Sequence, residues 1–364
     1  FNARVQGMMK LKEGLFDPKR RGKVIKTSML YITTPTILLW LKNKDSEVYR
    51  DLPQWQKDIF WIVITGEGTP DQTVWRIPKP FEIGWVFGTL PERLLDWMYQ
   101  EDSSQFTDSA LDFSKDFAKS FMPIPEFIRP FLEDAQNENF FFERPIVPYS
   151  MERILPEYQY TEYTSATAKL IAQNYAKLRE SMGVFEMVGP NLDSPLKVEN
   201  YIRAWTGGLG MYMLDILDYS FKQIGVTNPP IQPWSDNWVQ NLADIPIIKA
   251  FVVRHPSSTA EPINKFWKLY KPIAREVETF EKLMADNNIE EAMKVWNRID
   301  PELLYLIELA KPLKEMGDIV QLIYQNDGIS PNDKRQLIDQ FYGDMLGIAK
   351  EALRIKKTIK KRKN

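Results

Sequence analysis

Apolar side chains recurring every three or four residues constrain this chain more than any other feature. That period places them on one face of an α-helix and scatters them over both faces of a strand. Phe266, Tyr270, Ile273, Val277 and Phe280 form one stripe, and Leu337, Phe341, Met345, Ile348, Ala352 and Ile355 form another. The second follows Ser330-Pro331, where serine can cap a helix and proline, lacking an N–H, suits its first position. A third series, Val198, Ile202, Trp205, Leu209 and Ile216, reads as one apolar face of a helical segment. Stripes of this kind imply the core of a helical bundle.

One stretch runs against the helical pattern. Ile59 to Thr65 is a β-branched and aromatic run, Gly66 to Asp71 has turn chemistry, and Thr73 to Pro78 returns. This predicts a β-hairpin, which must pack on helices because a lone hairpin is marginal in water. The expected fold is mainly α, an irregular helical bundle with one small β-hairpin near residues 59–78. Further helices are expected over Phe1–Leu15, over Phe81–Tyr99 with a reset at Pro91, over Ser104–Ser120, and after the Pro123–Pro130 patch. Residues 139–160, with Pro145, Pro148 and Pro156, read as irregular, and the chain from 161 onward as strongly helical. Pro229, Pro230, Pro233 and Pro246 mark the best candidate boundary. The expected organisation is an N-terminal helical domain (1–228) holding the hairpin, a proline-rich linker (229–246), and a C-terminal helical domain (247–364) with a basic tail. No repeat of about 34 or 40 residues is present.

Composition closes off much chemistry. With 44% hydrophobic and 26% charged residues, the chain of 364 is globular rather than disordered. Its 11 Trp, 15 Tyr and 20 Phe suit a protein that buries large flat surfaces against partners. There is no cysteine, which removes disulfides and thiolate sites, and the one histidine, His255, makes a structural zinc site implausible. His255 lies in Arg254-His255-Pro256 and reads as an exposed loop histidine; any Ser-His-Asp arrangement would have to be built on it. Thr206-Gly207-Gly208-Leu209-Gly210 follows a helix rather than a strand, so it is read as a close approach or a helix break and not as a phosphate cradle. Glu133-Asp134, Glu290-Glu291 and Asp215 with Asp218 are carboxylate pairs of a sort any helical protein offers. Trp75 to Glu82 reads as a rigid strand-to-helix corner, with a stacking contact to nucleic acid as the other reading. No catalytic residue, cofactor, metal ligand or small-molecule substrate is assigned, and an enzyme is not expected.

Charge is unevenly placed although the net is −2. Arg354, Lys356, Lys357, Lys360, Lys361, Arg362 and Lys363 make a basic tail, a candidate contact to nucleic acid or another anionic surface. Lys19, Arg20, Arg21, Lys23 and Lys26 form a second basic stretch. The longest uncharged run follows it, Thr27 to Leu41; it holds Pro35 and is too short to span a bilayer, and suits a core helix or an interfacial segment. The chain begins with Phe1 rather than methionine and is read as a piece of a longer polypeptide.

Several segments in order resemble one family. They are Phe1–Gly7, Tyr31–Thr36, Leu52–Asp58, Arg76–Gly84 and Leu90–Arg93, then Arg144–Pro148, Thr164–Ala168, Ser194–Glu199, Thr206–Gly210 and Ile245–Ile247 before Phe251. The set resembles the large polyvalent protein associated domain 38, a module of very long phage and mobile-element proteins. The resemblance implies a context: a non-catalytic part of an internal virion protein, carried inside the phage and delivered to the host with the DNA at ejection. Its implied partners are other virion proteins, in an oligomer, with packaged DNA reached through the basic tail and transient contact with the host envelope. The alternative is an intracellular accessory module of an antirestriction-type polyvalent protein. A carboxylate-based hydrolase and a membrane-inserting element built on Thr27–Leu41 complete the readings.

Overall fold

A computed structural model describes residues 2–69, 71–100, 127–140, 145–149, 151–152, 154–161, 163–182, 190–227, 229–245 and 248–363. The helix expected over Ser104–Ser120 lies outside the described residues. The chain forms two compact units, one from Phe1–Pro130 with Val239–Arg254, the other from Phe131–Trp238 with His255–Asn364. These bounds differ from the linear division expected at 229–246, because Val239–Arg254 supplies a strand to the first unit.

The first unit contains α1 (Asn2–Phe16), α2 (Arg21–Ser28), α3 (Thr34–Asn43), α4 (Glu47–Asp51), α5 (Gln54–Ile59), β1 (Phe60–Thr65), β2 (Thr73–Pro78), α6 (Phe81–Gly84) and α7 (Leu90–Gln100). The hairpin forms as expected, in antiparallel register from Phe60↔Pro78 to Thr65↔Thr73. Its turn needs Gly66 and Gly68 at φ of 63° and 75°, a region closed to most side chains. A third strand, β3 (Val252–Val253), pairs with β2 through Val74↔Val253 and Trp75↔Val252. The Arg76 guanidinium fastens it by donating to the carbonyls of Ala250 at 2.7 Å and Lys249 at 3.2 Å. Tyr49, Leu52, Ile62, Ile64, Val74 and Val253 form the apolar cluster behind the sheet.

Two single π-turns shape this unit, and each stands just before a proline. Met29–Thr33 joins α2 to α3 ahead of Pro35, and Trp85–Thr89 joins α6 to α7 ahead of Pro91. Proline has no N–H and its ring collides with the carbonyl four residues back, so a widened turn lets the helix continue. The Thr33 hydroxyl donates to the Phe87 carbonyl at 2.6 Å, the acceptor that Pro91 cannot serve. The two irregular turns therefore complete each other.

The second unit holds α8 (Arg129–Gln136, from Phe131 on), α9 (Ala166–Met182), α10 (Pro195–Thr206), α11 (Gly208–Gln223), α12 (Glu261–Ala285), α13 (Ile289–Trp296), α14 (Tyr305–Gln325) and α15 (Pro331–Lys363). Its main core lies between α12, α14 and α15 and includes Phe266, Ile273, Leu306, Leu313, Met345 and Ala352, so two of the three expected stripes face inward. Ser330 caps α15 as read, accepting from the Asp333 amide at 3.2 Å. The third stripe is corrected. Val198 is buried, but Gly207, at φ 63° and ψ −147°, ends α10, and Leu209 and Ile216 on α11 are exposed. Gly210 is the close approach: a Cβ there would meet Ile202 at 2.8 Å.

Candidate functional site

The densest polar constellation is buried in the first unit. The Glu92 carboxylate, in the first turn of α7, accepts from the Lys79 ammonium on one oxygen and from the Tyr49 hydroxyl on the other. Lys79 also donates to the Lys57 carbonyl at 2.7 Å, and the Lys79 and Glu92 side chains are only 2% and 9% exposed. Beside them Arg93 grips Asp58 with two nitrogens, Nε to Oδ1 at 3.0 Å, while Gln54 donates to the same carboxylate at 3.1 Å. The Thr89 hydroxyl takes the Asp58 carbonyl at 2.6 Å. On the α3 side, Trp40 Nε1 donates to Asp96 at 2.6 Å.

Burial governs the electrostatics. It pushes the Glu92 carboxyl above its ordinary value, against the opposing pull of Lys79 and Tyr49. Asp96 is raised for the same reason, with Lys57 and Trp40 pulling the other way. The Tyr49 phenol is held well above its usual range by burial and by the charge of Glu92. Each carboxylate already has donors, so the arrangement locks α4, α5, β2 and α7 in one geometry.

The second unit carries a smaller relay. His255 is buried, 3% exposed, which corrects the exposed loop expected for it. Its Nε2 meets the Tyr163 hydroxyl and its Nδ1 meets Asp339, whose other oxygen accepts from Arg335 at 2.9 Å. Burial alone would raise Asp339, but the hydrogen bonds and charges of His255 and Arg335 outweigh it and hold the carboxyl below its ordinary value. Among the described residues no group of three or more potential metal ligands occurs. A cavity of about 330 Å³ is bordered by Asn137, Glu152, Gln159, Asp193, Ser194 and Lys197. The Ser194 hydroxyl and one Asp193 oxygen there are buried without a partner among the described residues.

The carboxylate pairs singled out in the sequence have structural partners. Asp218 caps α9, accepting from the amides of Ala166 at 3.1 Å and Thr167 at 2.7 Å and from the Ser165 hydroxyl at 2.9 Å. Glu133 accepts from Asn200 at 3.0 Å, Asp134 pairs with Lys197 at 2.6 Å, and Glu290 and Glu291 both pair with the exposed Lys294. The basic tail is the end of α15: Arg354, Lys356, Lys357, Lys360, Lys361, Arg362 and Lys363 occupy its last turns. At about 100° per residue these seven positions wind around the helix axis as a collar and do not share one face. Cations also suit the negative end of the helix dipole.

Asp58, Lys79, Glu92 and Arg93 were not among the expected site residues, because pairing over 13 to 43 positions has no period to betray it. A signal was present all the same: each lies in a stretch that carries the family resemblance, as do Thr33, Ser165 and Glu199. Residues 46–248 match the family described as Large polyvalent protein associated domain 38. No curated protein and no solved structure matches the chain.

Proposed function

The chain belongs to the large polyvalent protein associated domain 38 family, and we propose on that footing that it is a non-catalytic structural and interaction module of an internal virion protein, delivered to the host with the phage DNA. One observation carries the reading. Four charged residues of the family-like stretches pair inside the unit: Lys79 with Glu92, both buried, and the buried Asp58 with the partly buried Arg93. Such residues set a rigid shape, and a rigid shape with aromatic-rich surfaces suits packing against other virion proteins.

The collar at the end of α15 adds a contact to packaged DNA. If about four of its cations reach phosphates, affinity falls roughly a hundredfold between 50 and 200 mM salt. Deleting residues 354–364 removes most of that binding and flattens its salt dependence; equal retention on DNA with and without the tail refutes the contact. Mass spectrometry of purified virions tests the larger proposal. The chain is expected inside the particle, and its presence only in infected cells would favour the accessory module of a mobile-element polyvalent protein instead.

A further inference from the structure

We propose that the first unit docks on an anionic lipid bilayer through the continuous helix Arg21–Asn43. The helix has its polarity reversed. Five of its residues are buried against the unit, and three of them are polar: Ser28, Thr36 and Asn43. Two of these make inward bonds, Thr36 accepting from Trp61 Nε1 at 2.7 Å and Asn43 donating to the Ile62 carbonyl at 2.8 Å. The outward side is apolar. Leu30, Tyr31, Leu38 and Leu41 are between 51% and 67% exposed, and no charge interrupts the run from Thr27 to Leu41. The window is hydrophobic enough to enter a membrane yet only 22% buried, unlike the core helix of a soluble protein. The neighbouring α7, held to α3 by the edge-on contact of Trp40 with Tyr99 at 5.8 Å, also exposes Leu94 and Met98.

A protein partner could cover an apolar face too; charge decides for lipid. Lys19, Arg20, Arg21, Lys23 and Lys26, all exposed, gather at the start of the helix, and Lys42, whose ammonium donates to the Ile64 carbonyl at 3.3 Å, stands at its end. Cations bracketing an apolar stripe match phosphate headgroups bordering acyl chains. Length fixes the mode. Fifteen uncharged residues make about 22 Å of helix, short of the ~30 Å hydrocarbon layer, and Thr36 and Asn43 tie one side of the helix to the sheet, so the proposed mode is interfacial rather than spanning. The inference does not depend on the chain being carried in a virion.

Flotation of the full 364-residue chain with phosphatidylcholine vesicles, with and without phosphatidylserine, tests this. The chain is expected to float with the anionic vesicles. Leu38→Glu with Leu41→Glu, at exposed positions that leave the fold intact, abolishes flotation. Lys23→Glu with Lys26→Glu weakens it by about tenfold or more. The chain has no cysteine, so an environment-sensitive dye on Leu38→Cys reads insertion directly. Its emission shifts to the blue with anionic vesicles, and the same dye on Glu290→Cys does not shift. Failure of the unaltered chain to float with phosphatidylserine, or no shift at position 38, overturns the proposal. If Leu38→Glu with Leu41→Glu then also halves the native mass, the face belongs to a second copy of the chain.

Discussion

Replacing Lys79 by methionine tests whether the buried network governs the first unit. The ammonium of Lys79 faces the Glu92 carboxylate with both side chains under a tenth exposed, so methionine leaves a buried charge served by Tyr49 alone. Breaking a buried pair in this way costs about 3–5 kcal/mol, roughly a fifth or more of an ordinary domain's stability. The two units need not unfold together, so the assay must be local. Hydrogen exchange of the β1 and β2 amides at Ile62, Ile64 and Val74 reads the first unit alone, and the loss should accelerate exchange by about two to three and a half orders of magnitude. Methionine at both Lys79 and Glu92 removes the charge altogether and should recover most of the loss or exceed the starting stability. The pH dependence has a defined sign. Burial already raises Glu92, and losing Lys79, which pulls it down, raises it further. A carboxyl raised in the folded state binds more protons there than in the unfolded chain. Stability of the Lys79→Met chain therefore falls as pH climbs from the ordinary glutamate value of about 4.3 through the raised one. Exchange within about fivefold of the unaltered chain, at a ratio that does not change with pH, would show that Glu92 is hydrated and refute the reasoning.

Four further substitutions probe the second unit. Asp218→Ala strips the cap from α9 and should cost about 1–2 kcal/mol, seen as faster exchange over Ala168–Ala172. Gly207→Ala forces a side chain onto φ 63°, ψ −147° and should cost about 1–3 kcal/mol, whereas Gly208→Ala, which meets nothing within 4 Å, should leave the melting temperature nearly unchanged. Asp339, held below its ordinary value, lends stability that is present above the unfolded aspartate pKa of about 3.9 and lost as pH falls through the lower folded one. Asp339→Asn should therefore flatten the acid limb of an unfolding profile followed by circular dichroism.

What the sequence disclosed and what it hid follow from the range of the forces involved. The stripes through Phe266 and Leu337 were legible because helical burial repeats within a few residues, and the hairpin because its turn lies between its strands. β3 was not, since two valines carry no pattern and their partners Val74 and Trp75 are remote in sequence. The stripe from Val198 to Ile216 misled because one glycine outside helical geometry resets the phase, so that later apolar residues point outward. His255 misled in another way. A loop between helices usually meets water, yet here Tyr163 and Asp339 enclose the ring from distant parts of the unit. The basic tail was visible as charge, and its being a helix end follows from its continuing α15, whose apolar stripe reaches Ile355.

Among the described residues, thirteen buried residues form the main apolar core of the second unit, which also buries Glu133, Asp193, Lys334 and Arg335. The first unit gathers six in its apolar cluster, buries Lys79, Glu92 and Asp58 with Arg93 partly buried beside them, and leaves Leu30, Leu38, Leu41 and Met98 facing out. Apolar burial stabilises a fold without regard to direction, whereas a network of paired charges stabilises one geometry and penalises its neighbours. In the first unit the paired charges hold the frame while an apolar surface stays available, and association then removes from water what folding left exposed. The reversed helix and the buried ion pairs are on this account one design: charges inside fix the frame, and that frame presents an apolar face whose complement lies outside the chain.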